Sequence, residues 1–216
     1  MGERAGDEEF EDLLARAAAL RGHLCLGLPL GIKLARQGLR QVGMEDPGRR
    51  DDLIVFVENS RCAVDAVQIA TGCSMGSRKL FVFEYGKSAA TFYDRAKGRA
   101  VRVFARLDLT SRAIRLAVKD GILKDGEEFD PTSKLGRKVM MNAFMKMSED
   151  EIFDHQEVSL RDPTALGRGP SIPRSSCSAC GEEILDGKGV VRKGKYLCLA
   201  CAGEAYYRSP SKNSAE

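Results

Sequence analysis

The chain has 216 residues, more than a typical single domain and fewer than two large ones. Hydrophobic residues make up 43% of it and charged residues 30%, a composition typical of a globular protein with a buried core. No apolar run approaches the roughly 18 residues that a membrane-spanning helix needs, so we expect no membrane span. The formal net charge is +3 and the basic residues are spread along the chain, so charge does not demand nucleic-acid binding.

The start of the chain and its cysteines indicate a cellular compartment. Residues 1–12 are rich in acidic side chains and lack the basic and then apolar pattern of a secretory signal. We therefore expect a cytoplasmic protein. Thiols are normally kept reduced there, so the seven cysteines predict metal ligands or reactive thiols before they predict disulfides.

Two helices are predicted before the first strand. Apolar residues recur at helical spacing over residues 7–20, and Asp7 is available as the N-cap of this first helix. Proline is tolerated only near a helix start, so the second helix should begin between Cys25 and Pro29 and continue to Gly43.

The middle of the chain predicts a sheet. Residues Leu53–Val57 form a β-branched and aromatic run that indicates a buried strand, and a third helix follows over 61–70. Three further strands are predicted at 79–85, 89–94 and 100–107, joined by short glycine-containing turns. This succession predicts an α+β domain with an antiparallel sheet and flanking helices.

Two more helices and a last strand complete the predicted core domain. Thr110 or Ser111 should cap one helix, and a methionine-rich stretch over 139–147 should form another, with its methionines filling the core. The pattern over 148–151 matches a capping box, and a strand is predicted at 156–160.

A linker separates this domain from the cysteine-rich tail. Residues 161–176 contain prolines, glycines and serines and have almost nothing to bury. The predicted organisation is therefore a core domain over 1–160, the linker, and a small module over 177–208.

The tail contains two C-x2-C pairs, Cys177 with Cys180 and Cys198 with Cys201. Seventeen residues lie between the pairs, which is a spacing typical of zinc sites. Four thiolates complete a closed tetrahedron around Zn²⁺ and leave no position open for water or substrate. We therefore predict a structural or recognition zinc finger. Two free redox pairs are the alternative, although redox motifs usually occur singly.

The segment between the pairs predicts the shape of this module. Turn signals at 186–187 and 193–194 indicate a β-hairpin, and residues 202–207 suit a short helix after the last cysteine. Knuckle, hairpin and helix in this order resemble a treble-clef zinc finger. So small a module cannot bury enough apolar surface to fold alone, so zinc binding and folding should be one event.

A second group of thiols lies in the core domain. His23 and Cys25 occupy the gap between the first two helices, Cys62 opens the third helix, and Cys73 follows it. A cysteine at a helix N-terminus is more readily a thiolate, which predicts a reactive or metal-binding Cys62. The alternative is three buried small hydrophobes and an incidental histidine.

The core domain contains several short motif blocks. Residues 21–31 contain the pattern G-H-x-C-x-G-x-x-x-G, and further blocks lie at 58–68, 71–73, 83–87 and 90–92. In pattern and order these blocks resemble the FmdE family, the E-type subunits of formylmethanofuran dehydrogenase. The resemblance extends from residue 10 to about residue 160, and the tail is similar to a finger that some members carry.

The resemblance implies a metal-binding cleft in an α+β core. Its four implied ligands are His23, Cys25, Cys62 and Cys73, which would hold a second zinc ion or another transition metal. Many members have histidine and proline where this chain has Arg21 and Leu26, so a ligand or a helix-starting ring differs here.

The candidate catalytic residues are Cys62, Asp65 and Lys87. Four polar residues near this cleft, Asp65, Gln68, Tyr85 and Lys87, are candidates for supporting roles. Asp65 and Gln68 lie about one turn beyond Cys62, where they would orient the cluster, and Tyr85 and Lys87 would face the cleft as anion or proton partners. Ordinary solvation of a helix surface or a sheet edge explains all four as well.

The leading functional hypothesis is a zinc-binding accessory protein of one-carbon or molybdenum/tungsten enzyme metabolism. The resemblance implies a homodimer and a protein partner that is such an enzyme. The parent enzyme interconverts carbon dioxide and the formyl group on methanofuran with redox centres on other subunits. Membership therefore does not by itself make this chain an enzyme.

Two alternatives belong to other classes. One is a stand-alone enzyme or thiol-dependent carrier that uses the core cleft. The other is a zinc-finger regulator that binds nucleic acid or protein through the basic residues of the tail, which are Lys188, Arg192, Lys193 and Lys195.

Overall fold

The computed structural model describes residues 2–46, 51–161 and 174–208. The chain divides into two compact units, Met1–Gly167 and Arg168–Glu216, and each is considered by itself. Most of the predicted linker lies outside the described residues. Within the described part of the chain, no helix combines the length and the apolarity that crossing a membrane requires.

The first unit contains eleven helices and strands among its described residues. In chain order they are α1 Gly2–Arg21, α2 Gly27–Val42, β1 Leu53–Val57, α3 Ala63–Thr71, β2 Leu80–Val82, β3 Ala89–Asp94, β4 Arg99–Ala105, α4 Leu109–Lys119, α5 Lys134–Lys146, α6 Glu149–Ile152 and β5 Phe153–Val158.

The five strands form one sheet in the order β2-β1-β3-β4-β5. Three of its four strand pairs are antiparallel, which confirms the predicted α+β class with a mainly antiparallel sheet. The exception is β1 with β2, which are parallel. A helix, α3, lies between these two strands in the chain and returns it to the same end of the sheet, as a parallel connection requires.

Helix α2 lies at the centre of the first unit, and one of its glycines explains how closely it approaches the sheet. Leu28, Ile32 and Ala35 on α2 are completely buried. At Gly38, an added Cβ atom would overlap the ring of Phe92 on β3, which is itself completely buried. Glycine in a helix interior is normally unfavourable, so its presence here reflects the space that Phe92 occupies.

Two predicted helix starts are wrong. Helix α1 extends N-terminal of Asp7, so Asp7 is not its N-cap. Helix α4 begins directly after Asp108, so Thr110 and Ser111 lie inside it. The Asp108 carboxylate accepts a hydrogen bond from Arg112 one turn later at 2.7 Å, and this negative charge suits the positive end of the helix dipole.

The predicted capping box is confirmed. The backbone N–H of Ser148 donates to the Glu151 carboxylate at 2.8 Å, and the reciprocal bond is present at the start of α6. The strand that follows begins at Phe153, earlier than predicted. Phe153 and Ile152 are both buried, so the chain passes from helix to strand within the core.

We predict that Gly38→Ala destabilises the first unit. The added methyl group has to displace the Phe92 ring from a closely packed core, which should lower the free energy of unfolding by about 1–3 kcal/mol. Gly76→Ala is the matched control, because its Cβ atom would meet no atom within 4 Å. Urea denaturation followed by circular dichroism measures both; equal midpoints for the two variants would contradict the packing argument.

Candidate functional site

The described part of the tail consists of two short antiparallel strand pairs. Strand β6 Ser175–Ser176 pairs with β7 Glu183–Ile184, and β8 Gly189–Arg192 pairs with β9 Lys195–Cys198. The first C-x2-C pair begins directly after β6, and the second begins at the last residue of β9.

The predicted β-hairpin is confirmed in β8 and β9. Arg192 lies opposite Lys195, so Lys193 and Gly194 form a two-residue loop. Both loop residues have positive φ, 50° and 73°, as a type I′ turn requires. The predicted helix over 202–207 is wrong, because a five-residue π-type turn, Ala200–Glu204, takes its place and contains Gly203 at φ 100°.

The turn at 177–180 and the end of the hairpin bring four sulfur atoms together. The Sγ atoms of Cys177, Cys180, Cys198 and Cys201 all lie within 4.8 Å of one another, and no disulfide joins them. Those of Cys180 and Cys198 are 4.0 Å apart. Tetrahedral zinc with Zn–S bonds of about 2.3 Å places its sulfurs about 3.8 Å apart. The cluster therefore has the donor set and nearly the spacing of a four-cysteine zinc site.

Backbone amides also prepare this cluster for negative charge. The N–H groups of Ala179 and Cys198 donate to the Cys177 sulfur at 3.5 and 3.3 Å. Backbone N–H donors, that of Cys180 included, lower the pKa of Cys177 to about 6. Sharing hydrogen bonds with Cys198, Cys180 and Cys177 raises the pKa of Cys201 to about 12. One thiolate forms readily, whereas four together require a cation.

In the first unit, two glycines bring Cys25 and Cys62 together. An added Cβ atom at Gly27 would overlap the Cys62 sulfur, and one at Gly31 would lie 2.6 Å from the Ala63 carbonyl oxygen. These close approaches allow the start of α2 to pack directly on the start of α3. This packing gives the spaced glycines of the 21–31 block a structural role.

The two thiols line a cavity of about 950 Å³ in the first unit. Burial raises the pKa of the Cys62 thiol, and its hydrogen bond with Cys25 raises that pKa further. Both effects favour the neutral thiol, which is opposite to the influence expected from a helix start. The reactive or metal-binding role of Cys62 stays a prediction.

His23 and Cys73 do not join this pair to form a cluster like that of the tail. Cys73 is buried in the core, and its thiol donates to the Leu53 carbonyl oxygen at 3.6 Å. His23 is exposed. Among the described residues, the tail cysteines are the one group of three or more potential ligands whose donor atoms gather this closely. A second metal held by all four core residues remains a prediction.

Asp65 lies beside the thiol pair and forms an ion pair with Arg21. Its carboxylate accepts a hydrogen bond from Arg21 at 3.2 Å, and both side chains are about one-third exposed. Arg21 also interacts electrostatically with Cys62 and Cys25. Gln68, on the same helix, is half-buried, and its carbonyl oxygen accepts the N–H of Gly72 at the helix end.

Tyr85 and Lys87 are held by their backbone. Their N–H groups donate to the Glu58 carbonyl oxygen at 3.2 and 3.1 Å, and the Asn59 amide donates to the Lys87 carbonyl oxygen at 2.6 Å. The side chains of Tyr85 and Lys87 are exposed. The block that begins at Glu58 therefore shapes the loop that carries both residues.

Sequence reasoning missed an ion pair and one wall of the cavity. The Glu58 carboxylate accepts two hydrogen bonds from Arg102, at 2.6 and 2.7 Å, and both side chains are largely buried. Helix α5 provides the cavity wall with Lys134, Leu135, Arg137, Lys138 and Met141. The sequence signal that could have found this wall was the group of three cations within residues 134–138. The helix was predicted to begin at residue 139, after these residues.

Two family profiles match the chain. The family described as "FmdE, Molybdenum formylmethanofuran dehydrogenase operon" matches residues 20–154. The family described as "Prokaryotic dksA/traR C4-type zinc finger" matches residues 172–207. The second match covers all four clustered cysteines.

Two individual proteins are also similar. "Probable S-adenosyl-L-methionine-binding protein" of Archaeoglobus fulgidus is 29% identical over 204 residues, which are 90% of this chain and 53% of that protein. The chain thus spans about half the length of the curated relative it matches. The crystal structure of "a tungsten formylmethanofuran dehydrogenase subunit e (fmde)-like protein" from Syntrophus aciditrophicus has a TM-score of 0.65 at 21% identity, over 92% of this chain and 95% of that one.

The fold and the cysteine cluster define the class of this molecule, an α+β protein with a C4-type zinc finger. Its core profile matches more than half of the residues. The chain belongs to the FmdE family, as the motif blocks of its sequence indicated. The solved structure supports the same fold.

We predict unequal consequences for two arginines of β4. Arg102→Ala leaves the largely buried Glu58 carboxylate without its partner and should cost about 2–4 kcal/mol of the free energy of unfolding. Arg99 is the matched control, because it donates two hydrogen bonds to the exposed Glu157, and Arg99→Ala should cost less than about 1 kcal/mol. Thermal and urea denaturation measure both variants. Equal losses would show that burial of the Glu58 pair is energetically unimportant.

Proposed function

We propose that this protein is a zinc-binding accessory protein of one-carbon metabolism that serves a molybdenum or tungsten formylmethanofuran dehydrogenase-type enzyme. The observation that carries the zinc assignment is the gathering of four sulfur donors within 4.8 Å. The family description and the name of the solved relative support the link to the enzyme.

The proposed ligands of the zinc ion are Cys177, Cys180, Cys198 and Cys201. Of the described tail residues, only Cys177 and Ile184 are buried, so the tail has almost no apolar core of its own. Zinc would supply the missing stabilisation by neutralising four thiolates at a closed site. The ion is therefore structural, and the backbone amides around Cys177 orient the sulfurs for it.

We predict one zinc ion in the tail of each chain of the protein as isolated. Cys180→Ser with Cys201→Ser should reduce this to about zero, because two oxygen ligands cannot replace thiolates at a four-cysteine site. Metal analysis by mass spectrometry, with protein concentration measured independently, gives the stoichiometry. Cys25→Ser with Cys62→Ser is the matched control and should retain the ion.

Two outcomes of this measurement separate the hypotheses. Zinc retained by the tail variant would contradict the assignment of the ligands. A second metal lost only from the Cys25 and Cys62 variant would support the core metal site, with His23 and Cys73 as the further predicted ligands. The same samples, analysed by light scattering, test the predicted homodimer.

An accessory role follows from the distribution of the cysteines. An iron–sulfur cluster of the common four-cysteine type needs four thiolates, and the tail already uses the four that gather. The described core places only Cys25 and Cys62 side by side, which is too few. We therefore assign the redox chemistry of such an enzyme to its other subunits, and binding or assembly to this chain.

We predict that the intact chain binds a purified molybdenum or tungsten formylmethanofuran dehydrogenase. Biolayer interferometry with the chain immobilised measures the affinity, and a molybdenum enzyme of unrelated fold serves as the control analyte. Equal binding to both enzymes, or to neither, would contradict the accessory role while leaving the zinc assignment intact.

The two alternative functions each have one supporting observation. The Cys25 and Cys62 thiols line a cavity, as a thiol- or metal-dependent enzyme requires. The basic side chains Lys188, Lys193 and Lys195 of the tail are exposed, as a nucleic-acid-binding finger requires. Exposed lysines on a hairpin are common, so we favour the accessory role.

The Archaeoglobus relative is named for binding S-adenosylmethionine. That molecule carries a sulfonium and an ammonium group against one carboxylate, so its net charge is positive. The cavity of this chain is lined by Lys134, Arg137 and Lys138, which would repel a net cation.

A further inference from the structure

The cavity beside Cys25 and Cys62 has two chemically different parts. Its apolar part consists of Leu24, Leu26, Leu135, Met141 and the two thiols, and its cationic part consists of Lys134, Arg137 and Lys138. A volume of about 950 Å³ is enough for one small organic molecule. All the residues that line this cavity belong to the first unit, and the accessory role does not require it.

The three cations lie near the N-terminus of helix α5, where positive charge is unfavourable. Lys134, Arg137 and Lys138 occupy the first five residues of α5, whose first turn contains no acidic residue. The positive end of the helix dipole acts mainly on Lys134, the first residue of α5, and the three cations also repel one another. Both effects raise the electrostatic energy of the free protein. An anion between them would lower it.

The described residues offer little compensation for these charges. Lys134 and Lys138 are exposed and form no ion pair within the described part of the chain. Arg137 donates to the Thr132 carbonyl oxygen, and its charge also acts on the Asp130 carboxylate. The Asp130 carboxylate accepts from Thr132 and so belongs to the turn before α5.

The apolar part of the cavity indicates what is attached to the anion. Leu24 is 54% exposed, and Leu26, Leu135 and Met141 are only partly buried. Water in contact with these side chains is unfavourable, and an apolar ligand body would displace it. Inorganic phosphate alone would bind to the cations but would not displace water from these apolar side chains.

We propose that the cavity binds a small soluble amphiphilic anion, with a carboxylate, sulfonate or phosphate group at Lys134 and Lys138. Its apolar body packs against Leu135 and Met141 and reaches the thiols of Cys25 and Cys62. The thiols lie at the apolar end of the ligand.

A pair of fluorescent probes tests this arrangement. Anilinonaphthalene sulfonate carries an apolar aromatic body and one negative charge, and phenylnaphthylamine has the same body without the charge. The sulfonate should bind the full-length protein at one site and more tightly than the neutral probe. Raising the ionic strength should weaken the binding of the sulfonate probe and leave that of the neutral probe unchanged, because salt screens the contact of the sulfonate with the lysines.

Two double variants with the same loss of charge make the test specific. Lys134→Gln with Lys138→Gln should raise the Kd of the sulfonate probe about tenfold and leave the neutral probe unchanged. The matched control is Lys119→Gln with Lys124→Gln, two exposed lysines outside the cavity, which should change neither Kd. Equal effects of the two double variants on the sulfonate would overturn the proposal.

Protection of the thiols locates the bound probe. With the sulfonate probe present, N-ethylmaleimide should modify Cys25 and Cys62 at least several-fold more slowly, as peptide mass spectrometry measures. The Lys134 and Lys138 variant should lose this protection at the same probe concentration. Unchanged modification rates in the parent protein would show that the probe binds elsewhere and would also overturn the proposal.

Discussion

The close approach of α2 to its neighbours is the constraint on which the first unit depends. Glycines at three points of this helix leave room that no larger residue would leave: Gly27 for the Cys62 sulfur, Gly31 for the backbone of α3, and Gly38 for the Phe92 ring. Because α2 lies so close, the starts of α2 and α3 meet and Cys25 lies beside Cys62. The thiol cavity is therefore a consequence of helix packing.

The tail depends on a different force. Its described residues bury almost no apolar surface, and its four thiols cannot all ionise without a cation, as the pKa of Cys201, raised to about 12, shows. Backbone N–H groups stabilise the first thiolate at Cys177. A divalent ion supplies the rest of the stabilisation, so the metal takes the place that a hydrophobic core has in the first unit.

The two units differ in how their thiols are arranged. In the tail, four thiols gather and backbone N–H donors lower the pKa of one of them, Cys177. In the core, burial favours the neutral Cys62 thiol, and Arg21 beside the pair is held by Asp65. Cys73 is buried in the core. These two arrangements are the basis of the proposed structural role of the tail and the proposed ligand site of the core.

Local patterns in the sequence were enough to predict the zinc module, because two C-x2-C pairs at this spacing encode their own geometry, and the motif blocks indicated the family. It also predicted β1 and β3 within a residue, since β-branched runs bounded by turns are local signals. Only the tertiary structure showed that β1 and β2 are parallel, that Arg102 pairs with Glu58, and that α5 forms a wall of the thiol cavity. These features join residues far apart in the chain. Periodicity and spacing describe neighbours along the chain, whereas such contacts are decided by how helices and strands pack.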